Sequence, residues 1–208
     1  METHGHHTVT RSIRDFFDSH AEGWDHSICP EHGERLERIL ADLSIQPGQT
    51  VLDVGSGTGV LARMVAPRVG DTGRVVAVDL SFRMLQVARA KGLDANTTCM
   101  QTDVLAPPFP PARFDWVICN SVFPHFTDHR QAVESLAELL TSGGHFLVCH
   151  TQSRDAINNM HREVGDVVGG HVLPDLVGMA ALFDLAGLSV LCLEDADDHY
   201  VALGVKPH

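Results

Sequence analysis

A glycine-rich turn between a short apolar strand and a helix constrains the fold of this chain more than any other feature. The sequence predicts a strand at Thr50–Val54 and a helix at Val60–Val69, and the turn between them reads Gly55-Ser56-Gly57-Thr58-Gly59. Glycines in such a turn let the backbone bend tightly and let a ligand approach it without meeting a Cβ. The helix that begins near Thr58 points free N–H groups at that ligand. A tight turn without a ligand is the alternative.

Strand and helix patterns alternate after this turn. Further strands are predicted at residues 74–78, 97–101, 115–120 and 145–149, and further helices at 82–91 and 129–140. This alternation is typical of parallel βαβ units with right-handed crossovers. After a predicted helix at 174–186, two predicted strands at 188–193 and 200–205 are joined by a short acidic link, which indicates a hairpin. A parallel sheet with an antiparallel edge strand accommodates that hairpin.

The residues around the turn distinguish between two kinds of nucleotide ligand. A dinucleotide-binding turn reads G-x-G-x-x-G and holds a pyrophosphate, but here Val60 stands in the place of the third glycine. Asp53 lies two residues before Gly55, and a carboxylate there is unfavourable for a pyrophosphate. It suits a cationic ligand, and S-adenosylmethionine (SAM) carries an ammonium and a sulfonium and no phosphate. A nicotinamide-dependent oxidoreductase remains a competing interpretation.

Asp53 through Gly59 resembles motif I of the class I SAM-dependent methyltransferases. Asp79 ends the second strand and resembles the acid that accepts both ribose hydroxyls, while Asp103 and Val104 resemble the residues that bind the adenine amine and ring. Residues 114–121 resemble motif IV, and 139–144 resemble the turn before strand five. The cofactor-binding residues that this resemblance implies are Trp24, Asp53, Gly55, Ser56, Gly57, Gly59, Asp79, Leu80, Met84, Asp103, Val104, Asn120 and Ser121.

The resemblance also implies an architecture. It is a Rossmann-like, doubly wound α/β fold with a mostly parallel seven-stranded sheet, an antiparallel last strand and helices on both faces. We expect one domain over residues 1–208, with an N-terminal helical lid at 10–45 and a SAM-binding core at 50–150. A substrate-lid insertion is expected at 153–172 and a C-terminal helix and hairpin at 174–206. In the N-terminal segment Phe16, Phe17, Ala21 and Trp24 resemble the lid of small-molecule members, in which an aromatic residue covers the cofactor. Ordinary helix packing is the alternative.

Three histidines are candidates for the acceptor side of the reaction. His125 follows strand four, His150 closes strand five, and His161 lies further along the chain. Because the carboxyl ends of parallel strands meet at one edge, we expect these histidines to converge near the methyl group as acceptor-binding or acid–base groups. The alternative is that His125 packs structurally and the others are solvated. Three imidazoles can also bind a divalent metal, although their spacing matches no short metal motif.

Charge and composition bear on the partners. The formal net charge of −12 disfavours a nucleic-acid acceptor and suits a small neutral or cationic molecule. The sequence Asn120-Ser121-Val122-Phe123 differs from the Asn-Pro-Pro-Tyr motif of members that methylate adenine N6 or glutamine. Five cysteines without a CxxC pair suit a reducing cytoplasm, and no apolar run reaches the ~18 residues of a membrane span. We expect a monomer or homodimer, and a non-catalytic SAM-binding module is a further alternative.

Overall fold

Seven strands form one sheet at the centre of the molecule. The computed structural model describes residues 3–106, 108–165 and 167–208, with residues 3–10 described by their backbone alone. The strands are β1 (Thr50–Val54), β2 (Arg74–Asp79), β3 (Thr97–Gln101), β4 (Phe114–Asn120), β5 (Leu140–His150), β6 (Ser189–Ala196) and β7 (His199–Val205). Their order across the sheet is β3-β2-β1-β4-β5-β7-β6. All pairs from β3 to β5 are parallel, and β7 is antiparallel to both of its neighbours.

Helices cover both faces of this sheet. They are α1 (Thr3–His20), α2 (Trp24–Ser27), α3 (His32–Ala41), α4 (Val60–Val69), α5 (Phe82–Ala90), α6 (His129–Glu138), α7 (Arg154–Val164) and α8 (Leu176–Leu185), with short 3-10 turns at Ala21–Gly23 and Phe123–His125. β1 is buried on both sides, since Val51 packs in a core with α3 and α4 while Leu52 packs in a second core with α6 and α8. The predicted doubly wound, seven-stranded fold is confirmed. No helix in the described ranges is long and apolar enough to cross a membrane.

The strand order creates a switch point beside β1. The chain moves outward from β1 to β2 and β3 and then returns to the other side of β1 to form β4. Crossovers on the two sides of β1 therefore leave the sheet in opposite directions, and a crevice opens at the carboxyl ends of β1 and β4. In open α/β sheets this crevice is where ligands bind.

The C-terminal hairpin corrects one expectation. β7, the last strand, runs antiparallel to β5 as predicted, but it lies between β5 and β6. The edge strand is therefore β6, which runs in the same direction as β5. The hydrogen bonds of β5 are thus completed by the later strand of the hairpin. Periodicity cannot reveal this, because it does not say which strand of a hairpin pairs with the older part of the sheet.

Two local predictions were also wrong. Gly143 and Gly144 were expected to separate helix from strand, but β5 begins at Leu140 and runs through both glycines. A register shift between Phe114 and Trp116 marks an irregularity there, and Gly143 takes φ +76°, which suits a strand interruption of the bulge type. The polar stretch after β5 contains an unpredicted helix, α7, capped by the Ser153 hydroxyl, which accepts from the N–H of Ala156.

Candidate active site

A cavity of about 500 Å³ lies at the carboxyl ends of β1, β2, β4 and β5. Residues of the turn after β1, of α1 and α2, and of α7 line this cavity. Every predicted cofactor-binding residue except Gly59 lines this cavity, and so do all three predicted histidines. The structure therefore brings residues from both halves of the prediction to one site.

The three glycines of the turn are needed for different reasons. All have positive φ, +63° at Gly55, +52° at Gly57 and +78° at Gly59. A Cβ on Gly55 would lie 2.3 Å from Cγ2 of Val122, whereas a Cβ on Gly57 would meet nothing within 4 Å. Gly57 is thus the glycine that leaves the backbone open to a ligand. Gly59 is the N-cap residue of α4, and a Cβ on it would lie 3.1 Å from Cβ of Ala88, so it serves helix packing and does not line the cavity.

Asp79 connects the turn to the end of β2. Its Oδ2 accepts a hydrogen bond from the N–H of Gly57 at 2.8 Å, and its Oδ1 accepts from the N–H of Ser81 at 2.7 Å. The helix cap belongs to Ser81, whose hydroxyl accepts from the N–H of Met84 at 3.0 Å. Burial raises the pKa of Asp79 to about 6, and these backbone donors limit the rise. The carboxylate faces the cavity with lone pairs left for further donors.

Asp53 has the unusual environment. Its side chain is 1% exposed, and among the described residues its Oδ2 has no hydrogen-bond partner. Burial, reinforced by the nearby charge of Asp79, raises the pKa of Asp53 to about 8. A buried carboxylate oxygen without a donor is costly unless a ligand completes its hydrogen bonds. A cationic group placed beside it would do so, and a pyrophosphate would not.

The remaining predicted cofactor residues follow β3 and β4. Asp103 forms a local turn in which its Oδ1 accepts from the N–H of Leu105 at 2.9 Å, and Val104 follows it in the cavity wall. After β4, Oδ1 of Asn120 accepts from Sγ of Cys149 at 3.7 Å. Ser121 takes a left-handed backbone with φ +57°. The chain thus turns sharply after β3 and again after β4, and residues of both turns line the cavity.

Three histidines from different elements line the cavity. His125 ends the 3-10 turn after β4, His150 is the last residue of β5, and His161 lies on α7. The ring centroids of His125 and His161 are 5.0 Å apart. Burial lowers the pKa of all three, to about 3 for His150, and the neighbouring imidazoles lower the values of His125 and His150 further. These side chains are therefore neutral at pH 7.

His150 is the least satisfied of these side chains. It is 1% exposed, and neither of its ring nitrogens has a hydrogen-bond partner in the described part of the chain. A neutral imidazole carries one donor and one acceptor, so two hydrogen-bonding positions at the wall of the cavity are unfilled. The role of the three histidines in the reaction stays a prediction.

Comparison with known proteins gives the family. Residues 51–144 match the family described as a methyltransferase domain. The ubiquinone/menaquinone biosynthesis C-methyltransferase UbiE of Enterobacter sp. (strain 638) is 35% identical over 150 residues, which are 70% of this chain and 59% of the relative. The chain belongs to the class I SAM-dependent methyltransferases. The predicted family and its cofactor, SAM, are confirmed, while the chain spans about three fifths of the length of the curated relative.

Solved methyltransferases share the fold at lower identity. One chain of the Haloferax volcanii complex between the Trm112 methyltransferase activator and a methyltransferase superposes with a TM-score of 0.78 at 22% identity, over 92% of this chain and 98% of that one. A SAM-dependent methyltransferase from Aquifex aeolicus gives 0.71 at 19% identity, over 89% and 98%. These likenesses concern the fold alone.

Hydrogen bonds and an ion pair hold the N-terminal segment of this methyltransferase against the turn after β1 and against both ends of α5. Oδ1 of Asp18 accepts from the hydroxyl of Ser81 at 2.5 Å. Asp25 accepts from the hydroxyl of Thr58 at 2.6 Å and pairs with Lys91. In this segment the ring of Phe17 packs edge-on against Trp24, with centroids 5.3 Å apart. The predicted aromatic lid residues thus line the site.

Two further histidines, which are not among the three predicted catalytic histidines, also approach the site. His32 begins α3, is 8% exposed and lines the cavity, and its Nδ1 lies 2.7 Å from Oγ1 of Thr151. His171 lies outside the cavity wall, but its Nδ1 is 2.9 Å from Nδ1 of His125. Both contacts join distant parts of the chain, and no local pattern marks either residue.

The suggested metal site finds no support in the geometry. Within the described ranges no group of three or more His, Cys, Asp or Glu side chains is arranged to hold a metal ion. Nδ1 of His125 and Nδ1 of His161 are each engaged with His171, through its ring and its carbonyl oxygen respectively. Two of the three imidazoles therefore have only Nε2 left for a ligand.

Proposed function

We propose that this methyltransferase transfers a methyl group from SAM to a small, uncharged and largely apolar acceptor held against the histidines. The observation that carries the proposal is that two of the unsatisfied buried side chains line one cavity. Asp53 lies two residues before the glycine turn, and His150 is the last residue of β5. A cationic amino acid group would complete the first, and a hydrogen-bonding acceptor would complete the second.

The lining of the cavity supports an uncharged acceptor. Among the described lining residues the acids are Asp53, Asp79 and Asp103, at or just after the carboxyl ends of β1, β2 and β3, and none of the lining residues is Lys or Arg. Around the expected acceptor position the lining consists of His125, His150 and His161, whose pKa values are lowered by burial, and of apolar residues such as Ile157 and Met160. A charged acceptor would lose its hydration there without gaining an opposite charge. The lining therefore favours a neutral acceptor, whereas the net charge of the chain allowed a neutral or a cationic one.

The residues of the chain divide the work between binding and alignment. Asp53 would bind the amino group of SAM, Asp79 the ribose hydroxyls, and Asp103 with the backbone of Val104 the adenine. SAM supplies an electrophilic methyl group on a good leaving group. Alignment of the acceptor opposite that group can supply about 7–11 kcal/mol in favourable cases. A neutral imidazole of His125, His150 or His161 would accept the proton of an acceptor that carries one.

The relative suggests where the search for an acceptor should begin. The Enterobacter protein is named as a ubiquinone/menaquinone biosynthesis C-methyltransferase, so a reduced quinone methylated on carbon is the first candidate. The net charge of −12 disfavours nucleic acid as a partner. The free cysteines suit a reducing cytoplasm. We infer a cytoplasmic monomer or homodimer that works without a membrane or nucleic-acid partner.

The test measures S-adenosylhomocysteine (SAH) formed from SAM with each of four acceptors, 1,4-naphthohydroquinone, catechol, thiophenol and aniline. We expect turnover with at least one of them. His150→Ala should lower that turnover at least tenfold and leave the Kd for SAH unchanged. The matched control is His145→Ala, because His145 lies on the same strand but stacks on Trp116 away from the cavity. Equal activity of the two variants would remove His150 from the reaction, and SAH binding without turnover would favour a non-catalytic module.

A further inference from the structure

His171 contacts two cavity histidines although it does not line the cavity itself. Its Nδ1 lies 2.9 Å from Nδ1 of His125, and its backbone carbonyl oxygen lies 2.9 Å from Nδ1 of His161. We propose that His171 is a positioning residue that fixes the tautomer and ring orientation of His125 and His161 toward the acceptor. The proposal rests on the proposed function for its purpose, and on these two contacts for its geometry.

The contact to His161 determines where that ring carries its proton. A carbonyl oxygen only accepts hydrogen bonds, so Nδ1 of His161 must be the donor. Burial lowers the pKa of His161, which keeps the ring neutral at pH 7. In a neutral ring with the hydrogen on Nδ1, Nε2 carries a lone pair. His161 is thereby prepared to accept a hydrogen bond or a proton at Nε2.

The contact to His125 couples two rings through one proton. Two Nδ1 atoms at 2.9 Å form a hydrogen bond only if one donates and the other accepts. If His125 donates, its Nε2 becomes an acceptor and the hydrogen of His171 sits on Nε2. Burial and the neighbouring imidazoles lower the pKa of both rings, which favours two neutral rings that share one hydrogen between their Nδ1 atoms. The tautomer of His125 is therefore tied to that of His171.

The segment that carries His171 is anchored to α7. The amide of Asn158 both donates to the carbonyl oxygen of Leu173, at 3.2 Å, and accepts from its N–H, at 2.8 Å. The N–H of His171 donates to the carbonyl oxygen of Val168 at 2.9 Å. Because Asn158 and His161 are three residues apart on one helix, they bind the segment at two neighbouring points. This support holds the carbonyl and the ring of His171 in place.

The two contacts can be separated by substitution. His171→Ala removes the ring and keeps the carbonyl, so it should release His125 and leave His161 oriented. His171→Asn keeps a hydrogen-bonding group close to the position of Nδ1 and should restore much of the effect. Loss of the outer hydrogen-bonding partner of a metal-ligating histidine changes affinity or activity by about 10–100-fold, and we expect a similar range for these acceptor-site histidines. The contrast between Ala and Asn thus separates positioning from a general effect on the loop.

The experiment combines turnover with NMR of the whole chain labelled with ¹⁵N-histidine, with SAH as the bound probe. For His171→Ala we expect kcat to fall about 10–100-fold with the Kd for SAH unchanged. The ¹⁵N shifts of His125 should move toward a tautomer mixture while those of His161 stay in the Nδ1–H form. His171→Asn should recover at least a third of the lost activity, and His145→Ala should match the wild type in both measurements.

Three results would overturn the proposal. They are a wild-type kcat in His171→Ala, equal losses in the Ala and Asn variants, or unchanged ¹⁵N shifts of His125 in His171→Ala. The NMR comparison needs no acceptor. If the wild type methylates nothing, the proposed function fails, while the shifts of His125 and His161 still decide whether His171 orients them.

Discussion

SAM binding should release a proton from Asp53. In the free protein burial holds the pKa of this carboxyl at about 8, against an ordinary value of 3.8. At pH 7 a group with that pKa is protonated in about 0.9 of the molecules. A bound ammonium favours the ionised carboxylate, so nearly all of that proton leaves on binding. Asp79, with a pKa of about 6, is already mostly ionised at pH 7 and contributes little.

The sign of the pH dependence follows from this release. Because the free protein holds a proton that the complex lacks, lower pH opposes binding and higher pH favours it. The association constant should rise by a factor of about 8 per pH unit near pH 7 and level off above pH 8 to 9, where Asp53 is already ionised. The folding stability of the free protein should instead fall as the pH rises from the ordinary pKa of 3.8 to the folded pKa of about 8. In that range the unfolded chain releases the proton of Asp53 while the folded protein retains it.

Titration calorimetry measures the released protons directly. Binding heats are collected at pH 7 in phosphate and in Tris, whose ionisation enthalpies differ, for the wild type and for Asp53→Asn. The amino group of SAM takes up the same small fraction of a proton in both proteins, so the difference between them reports Asp53 and should be about 0.9 proton. Asp53→Asn should also bind at least tenfold more weakly. No difference in proton release, or an unchanged Kd, would refute the reasoning.

Other substitutions test the packing of the site. Gly55→Ala should cost about 2–5 kcal/mol in urea unfolding, from left-handed backbone strain and overpacking against Val122; a cost below 1 kcal/mol would contradict this. Gly57→Ala has room for its Cβ and should cost about 1–2 kcal/mol of stability but weaken SAH binding at least tenfold, and intact SAH affinity would place the ligand elsewhere. Asp25→Asn weakens the attachment of the N-terminal segment to Thr58 and Lys91 and should speed SAH dissociation severalfold in stopped-flow fluorescence; an unchanged rate would show that this segment does not limit release. Tyr200→Phe loses a hydrogen bond to the carbonyl oxygen of Pro174 and should lower the free energy of unfolding by about 1 kcal/mol, whereas a gain in stability would argue against that bond.

Local sequence patterns were sufficient for much of the sheet. β1 and β3 begin and end at the predicted residues, because turn-forming residues flank both short runs of strand-forming residues. The helix after the glycine turn was also predicted at its observed bounds. The interior position of β7 was not predictable from local patterns, since it depends on which strand of the hairpin pairs with β5. α7 was missed because polar residues dominate it and only a few of its side chains are buried.

Local sequence patterns likewise predicted only part of the site. Asp53, Asp79 and His150 could be assigned to one edge because each lies at or next to the carboxyl end of a parallel strand, and these strand ends meet there. His32 could not, since its partner Thr151 is 119 positions away, and neither could His171, which is 46 positions from His125. Such contacts arise only when α3, α7 and the loop after it pack around the finished sheet.

A crystal structure of the SAH complex tests the central claim most directly. We expect the amino group of SAH within hydrogen-bonding distance of Oδ2 of Asp53 and the ribose hydroxyls at Asp79. The sulfur should face His125, His150 and His161. SAH bound in the reverse direction or outside this cavity would contradict it, and so would a protein that leaves SAH unbound and takes NADH at the glycine turn.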